Sequence, residues 1–224
     1  MPVTTPPARA AHGATRLARR WTVWASALGW VWLAALALPA GTAAGATLDV
    51  QVLGADGRPI AEAVAWLEGP AAHQVARPPL QEIEQKDRQF TQRVSVVPVG
   101  TAIDFPNRDR VRHHVYSVSP AKIFDLKLYI GRPANPVLFD RAGVAVLGCN
   151  IHDEMLAWVV VVPTAHFGQS PASGQIRLAD VPAGAYQLLV WHPDLPIGAR
   201  AHAQTVTLAA GDQAVKVRLA VQGY

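Results

Sequence analysis

Beyond Ala46 the sequence predicts an all-β protein built as sandwiches, and three observations predict it. Apolar and polar residues alternate with period two in short runs, as Leu48, Val50 and Val52 do in "TLDVQVL". Gly, Pro, Asn and Asp break those runs at short intervals, as turns between strands require. No stretch after Ala46 keeps a helical period over eleven or more residues.

The first 46 residues are of another kind. "MPVTTPPARAAHGATRLARR" carries Arg9, Arg16, Arg19 and Arg20 and no acid, and residues 21–38, "WTVWASALGWVWLAALAL", are apolar nearly throughout. Pro39 and a small-residue stretch ending Ala44-Gly45-Ala46 follow. A basic start, an apolar middle and an A-x-A site predict a signal peptide over 1–46 and export to the periplasm. Left uncleaved, the apolar stretch sits at the lower limit for a membrane anchor. The residues after Arg19-Arg20 do not fit the twin-arginine pattern. Four of the 20 basic residues and none of the 16 acids precede Thr47, which leaves 16 of each in the exported chain. The basicity thus belongs to the targeting segment, and a nucleic-acid partner loses its support.

The strands follow in order. "TLDVQVL" leads through an Asp-Gly turn to "IAEAVAWLEG". Residues 70 to 84, rich in Pro, Ala and Gln, read as a connection. "RVSVVPVGTAIDF", "HHVYSVS", "IFDLKLYI", "PVLFD", "VAVLGC" and "AWVVVVP" are short strand runs separated by turn residues. After Pro163, "FGQSPASG" reads as a loop and "QIRLADVPAGAYQLLVWHP" as strand, turn and strand. "AHAQTVTLAAGDQAVKVRLAV" reads as a final hairpin about Gly211-Asp212, with Val215, Val217 and Leu219 on one face.

Cys149 is the only cysteine, so no intramolecular disulfide exists. A free thiol is a liability in an oxidising compartment, and a buried inert thiol is one explanation for it. Its neighbours suggest another. Copper sites for electron transfer take two imidazoles, a cysteine thiolate and a weak axial thioether. Cys149, His152 and Met155 supply three of these at C-x2-H-x2-M spacing, on a turn between two strand runs. The second imidazole has two candidates in "FPNRDRVRHHVYS", His113 and His114. Successive strand residues face opposite ways, so one of them faces the site. Zinc suits Cys and His but does not ordinarily take methionine. A cysteine hydrolase needs a base and an oxyanion hole, for which the sequence gives no signal.

On these residues the stretch from about 80 to 163 resembles a cupredoxin, the Greek-key sandwich of plastocyanin and amicyanin. "VVPVGTAIDFPNRD" resembles the family's strand, Gly turn, strand and Asn. "RHHV" stands where the family has Pro-His-Asn-Val, which implies His113 as the ligand. His114 then stands where the family has an Asn that ties the two ligand loops together. The ligand loop is similar to the short amicyanin type. "NRDRVRHHVYSVSPAK" and "GVAVLGCNIHDEMLAW" resemble the cupredoxin-like methylamine utilisation proteins. Two departures stand out: Arg112 replaces the usual proline, and Asp153 and Glu154 place acids inside the ligand loop. The flanks, "VQVLGADGRPIAEAVAWLEG" and "SGQIRLADVPAGAYQLLVWHP", resemble a carboxypeptidase regulatory-like domain, a small immunoglobulin- or transthyretin-like β-sandwich.

The resemblances imply a first part of that small sandwich at 47–79, a cupredoxin domain at 80–163 and the second part at 164–224. They imply one type 1 copper, Cu(I)/Cu(II), on His113, Cys149, His152 and Met155, in a single-electron carrier rather than an enzyme. The expected partner is a redox protein such as a cytochrome c or a periplasmic dehydrogenase. Arg108, Arg110 and Arg112, with Lys122 and Lys127, form either a solvated face or a docking patch for an acidic partner. The alternatives are copper delivery by the same ligands, or a β-sandwich binding module with a structural metal.

Overall fold

In the computed structural model, four of the five sheets stack face to face, the fifth being the two-stranded hairpin at residues 85–90, and the described residues form one compact unit. The description covers residues 45–72, 75–196 and 198–221; the expected signal segment, through residue 44, lies outside it. The strands are β1 (Ala46–Leu53), β2 (Val64–Glu68), β3 (Gln81–Glu82), β4 (Gln85–Lys86), β5 (Gln89–Phe90), β6 (Val94–Pro98), β7 (Thr101–Asp104), β8 (His113–Ser119) and β9 (Lys122–Tyr129). Then follow β10 (Val137–Phe139), β11 (Gly143–Gly148), β12 (Leu156–Val162), β13 (Phe167–Gln169), β14 (Gln175–Val181), β15 (Gly184–Trp191), β16 (His202–Leu208) and β17 (Gly211–Arg218). No helix occurs among the described residues, and the expected all-β sandwich architecture is what the chain adopts.

The layers follow from which faces are apolar. Sheets β14-β1-β17 and β13-β2-β15-β16 enclose one core of Leu48, Val50, Leu67, Leu178, Tyr186 and Leu188 among others. Sheets β6-β12-β11-β8-β9 and β10-β7-β3 enclose a second, with Phe105, Val115, Phe139, Leu147 and Val159. A third apolar cluster joins the two inner sheets: Val64, Trp66, Val94, Val160, Val162 and Trp191. The strands at that junction, β2 and β12, are therefore buried on both sides. On β12, Ala157, Val159 and Val161 enter the second core, while Val160 and Val162 enter the junction. That is why "AWVVVV" is a continuous apolar run rather than an alternating one. Each fully buried valine contributes about 1.5–3 kcal/mol. Arg93 adds a polar clamp: it pairs with Glu62 at 2.6 Å and Asp194 at 2.5 Å, and its guanidinium carbon lies 5.1 Å from the Trp158 ring centroid.

The chain after Pro163 departs from the sequence expectation in two places. Phe167–Gln169, expected within a loop, is an edge strand paired with β2. The expected hairpin about Gly211-Asp212 does not form. β16 pairs with β15, and β17 runs parallel to β1 in the other sheet. Gly211, at φ 103°, begins β17 as the chain crosses between layers. Alternation reads the same for a hairpin and for a crossover, so the pattern alone could not separate them. β1 begins at Ala46, so the predicted signal boundary falls one residue inside a strand.

His192 sits beside the junction, 1% exposed, with Nε2–H donating to the Ala61 carbonyl at 3.0 Å and Nδ1 accepting the Asp194 N–H at 3.1 Å. Burial pulls its pKa below the ordinary histidine value near 6.5, against the opposing field of Asp194. Its contribution to stability is present above that unfolded value and is lost as pH falls through the lower folded value. The unfolding free energy in urea should thus decline below about pH 6.5. The His192→Asn variant should show a flatter slope from there downward; equal slopes in the two proteins would refute the assignment.

Candidate metal centre

β11 and β12 pair antiparallel from Gly143↔Val161 to Gly148↔Leu156, and residues 149–155 form the turn between them. That register sets where the turn's donors lie. Cys149, 5% exposed, and Met155, 1% exposed, bracket the turn and pack into the second core. His152 is half-buried, and its carbonyl accepts the Met155 N–H at 3.0 Å, closing the turn. Glycine at 148 lets the Tyr116 ring lie over the strand: a Cβ there would meet that ring at 3.1 Å.

β8 brings the second imidazole. His113 is fully buried, and its Nδ1 lies 3.1 Å from His152 Nδ1, which in turn lies 3.8 Å from Cys149 Sγ. The three ligand atoms all fall within 4.8 Å of one another. An ion bound to nitrogen at about 2.0 Å and to thiolate at about 2.3 Å separates its donors by roughly 3–4 Å. The His113–His152 and His152–Cys149 separations meet that test, and two ring nitrogens with a sulfur form a set that suits copper. Met155 supplies a thioether in the same apolar cluster as Cys149.

Both adjacent histidines are buried, and the β8–β9 register shifts between His113 and Val115. They nevertheless face different ways. His114 Nε2 meets Asp125 at 2.5 Å, and its ring stacks on Tyr116 at 5.3 Å. His114 Nδ1 is buried with no hydrogen-bond partner among the described residues. Asp125 titrates below the usual carboxylate value because Lys127 and then His114 bond to it. The structure thus groups His113, and not His114, with Cys149 and His152.

A polar frame underlies His113. Asn107 donates from Nδ2 to the carbonyls of Val111 at 2.9 Å and Tyr129 at 3.0 Å, and its Oδ1 accepts the Asp109 N–H at 2.9 Å. Its own N–H donates to the Gly131 carbonyl at 2.7 Å. Gln85, fully buried, donates to the Phe105 carbonyl at 2.9 Å and the Tyr129 hydroxyl at 2.5 Å, and that hydroxyl donates to the same carbonyl at 2.6 Å. The Tyr129 pKa is pushed up to about 12, first by burial and further by the fields of Asp104 and Cys149. Asp109 accepts from His113 Nε2 at 2.7 Å. Partial burial opposes ionisation of Asp109, but the Arg88 N–H, His113 and the Asp87 N–H outweigh it and hold its pKa below the usual value. The sequence reading missed Asp109, Gln85 and Tyr129; an acid four residues before a proposed ligand was the one available signal. Arg108 pairs with Glu84 at 2.8 Å, while Arg110 and Arg112 are exposed with no ion pair among the described residues, as are Asp153 and Glu154.

No protein-family model matches the chain, and no curated protein matches it. Solved structures similar to part of it include copper proteins. A purple cupredoxin from Nitrosopumilus maritimus is 20% identical, with a TM-score of 0.32, over 37% of this chain and 99% of its own. A single-residue variant of amicyanin with Cu(I) is 18% identical, TM-score 0.34, over 44% of this chain and 98% of its own. A copper-containing nitrite reductase (NirK) from Thermus scotoductus SA-01 is 20% identical, TM-score 0.36, over 50% of this chain and 28% of its own.

Replacing Asn107 by Ala removes three side-chain hydrogen bonds, each contributing about 0.5–1.5 kcal/mol net, so roughly 1.5–4.5 kcal/mol of stability should go. Chemical denaturation of the metal-free protein measures this, and a loss well under 1 kcal/mol would mean that the frame does not depend on Asn107.

Proposed function

We propose that the chain is an exported type 1 copper protein that carries single electrons. The observation that supports it is the convergence of ligand atoms of His113, Cys149 and His152 within 4.8 Å of one another, with His152 Nδ1 3.1 Å from His113 Nδ1 and 3.8 Å from Cys149 Sγ. Bound there, copper supplies a one-electron Cu(I)/Cu(II) couple. The chain's residues do the rest. His113, Cys149 and Met155 are buried and hold donor positions acceptable to both oxidation states. The second core keeps water from the sulfur, which tunes the potential. His152 faces the donors through Nδ1, so its opposite ring edge is the exposed route by which an electron enters or leaves.

Export, a periplasmic location and a redox partner such as a cytochrome c or a dehydrogenase belong to the same reading, as does likeness to the methylamine utilisation group. The segments 47–79 and 164–224 would then form one small sandwich carrying the 80–163 cupredoxin domain as an insertion. This is supported by the pairing of β1 with β14 and β17, and of β2 with β13 and β15. The unpaired Arg110 and Arg112 would meet an acidic partner, and partner reduction should then slow as salt rises. Copper delivery is the second reading, favoured by the half-exposed His152, which gives metal a way out.

Adding Cu(II) to the metal-free protein should produce an intense thiolate-to-copper absorption band with narrow copper hyperfine splitting in EPR. Both should vanish in Cys149→Ser and in His113→Ala and persist in His114→Ala. A colourless protein that binds Cu(I) tightly and gives it up readily would establish delivery instead, and binding of neither ion would overturn the copper reading.

A further inference from the structure

Three features outside the donor set meet at His113. Its Nε2 lies 2.7 Å from Asp109 Oδ2. The Asp109 side chain is 13% exposed, and its two oxygens also accept the backbone N–H groups of Asp87, at 2.8 Å, and Arg88, at 2.9 Å. Those residues form the two-residue turn between β4 and β5, where Lys86 pairs with Gln89. Both lie in the left-handed region, at φ 53° and 58°. Such turns favour Asn-Gly, and an arginine at the second position is costly. The turn is held in this form with its two N–H groups on one carboxylate.

A carboxylate only accepts, so the proton between Asp109 and His113 rests on Nε2. Nδ1 then presents its lone pair to His152 and Cys149. We propose that Asp109 is the positioning residue of the metal centre: it fixes the tautomer and orientation of His113, and the Asp87–Arg88 turn, by fixing Asp109, makes a hairpin some distance from the donors part of the site. This rests on the copper reading for its effect on the metal, though not for its effect on the imidazole. The negative charge on Asp109 also stabilises Cu(II) more than Cu(I), since the interaction grows with the ion's charge. Its removal therefore raises the reduction potential, and outer partners of this kind are worth 10–100-fold in metal affinity.

The test uses the full protein and four forms: wild type, Asp109→Asn, Arg88→Pro and Arg88→Gly. Asp109→Asn keeps the shape but sets an amide N–H₂ against the turn's donors. Arg88→Pro removes one of those donors and forbids the positive φ. Arg88→Gly keeps the N–H and relaxes the backbone. Asp109→Asn should weaken Cu(II) binding by about 10–100-fold and raise the potential. Arg88→Pro should move both the same way, and Arg88→Gly should stay within about twofold of wild type. Nitrogen-15 NMR of the metal-free protein should show His113 as the Nε2–H tautomer, and a mixture of tautomers in Asp109→Asn. If Asp109→Asn lowers only the melting temperature, with tautomer, affinity and potential unchanged, Asp109 is a structural residue and the proposal is overturned. If wild type binds no copper, the functional reading falls, and the tautomer in the metal-free protein still decides this one.

Discussion

β12 is buried on both faces, and the rest of the structure depends on that. Three of its residues, Ala157, Val159 and Val161, help fill one core, and Val160 and Val162 fill the junction with the neighbouring sandwich. A strand locked on both sides cannot slip by one residue, because a slip would exchange every side chain between the two environments. Its pairings with β11 and β6 are therefore fixed, and with them the end of the turn at residues 149–155. The small sandwich thus takes part in holding the donors, although it contributes none of them.

The two imidazoles are held very differently. His113 is fully buried, bonded to Asp109 and framed by Asn107, whose bonds fix the segment from 107 to 111. His152 is half-buried on a short turn, with one ring edge unbonded among the described residues. A centre that exchanges electrons needs donors that barely move and one conductive edge near the surface. For the proposed electron carrier this asymmetry would serve both needs: the buried pair Cys149 and His113 would keep the geometry, and His152 would make the surface contact. A delivery site would be served better by two labile donors than by one.

Most strands were legible because their faces differ in polarity, whereas the four successive valines of β12 announced a strand but not which two cores its faces enter. The turn that the structure groups with His113 was picked out because chemistry and spacing coincide in C-x2-H-x2-M. What stayed hidden was pairing. "TVTLAAGDQAVKVRL" has the alternation of a hairpin, yet its halves belong to different sheets, because β17 finds a parallel partner in β1 far away in sequence. "FGQ" is too short to carry a pattern, and it becomes a strand only because β2 offers an edge. The Asp87–Arg88 turn lacks the glycine that announces such turns, so its form is set by the carboxylate that it binds rather than by its own sequence.

That last case shows how local strain and function can be linked. Left to itself, "KDRQ" has little reason to place both central residues at positive φ. The carboxylate of Asp109 offsets the cost with two charge-assisted hydrogen bonds, each about twice as strong as a neutral one. Asp109 is in turn oriented by the Asn107 side chain through its own backbone N–H. Turn, carboxylate and imidazole therefore select one another's geometry, and no member of the chain is fixed by local propensity alone. An imidazole placed in this way, His113, is oriented without any ion, since every bond in the chain is already made between protein groups.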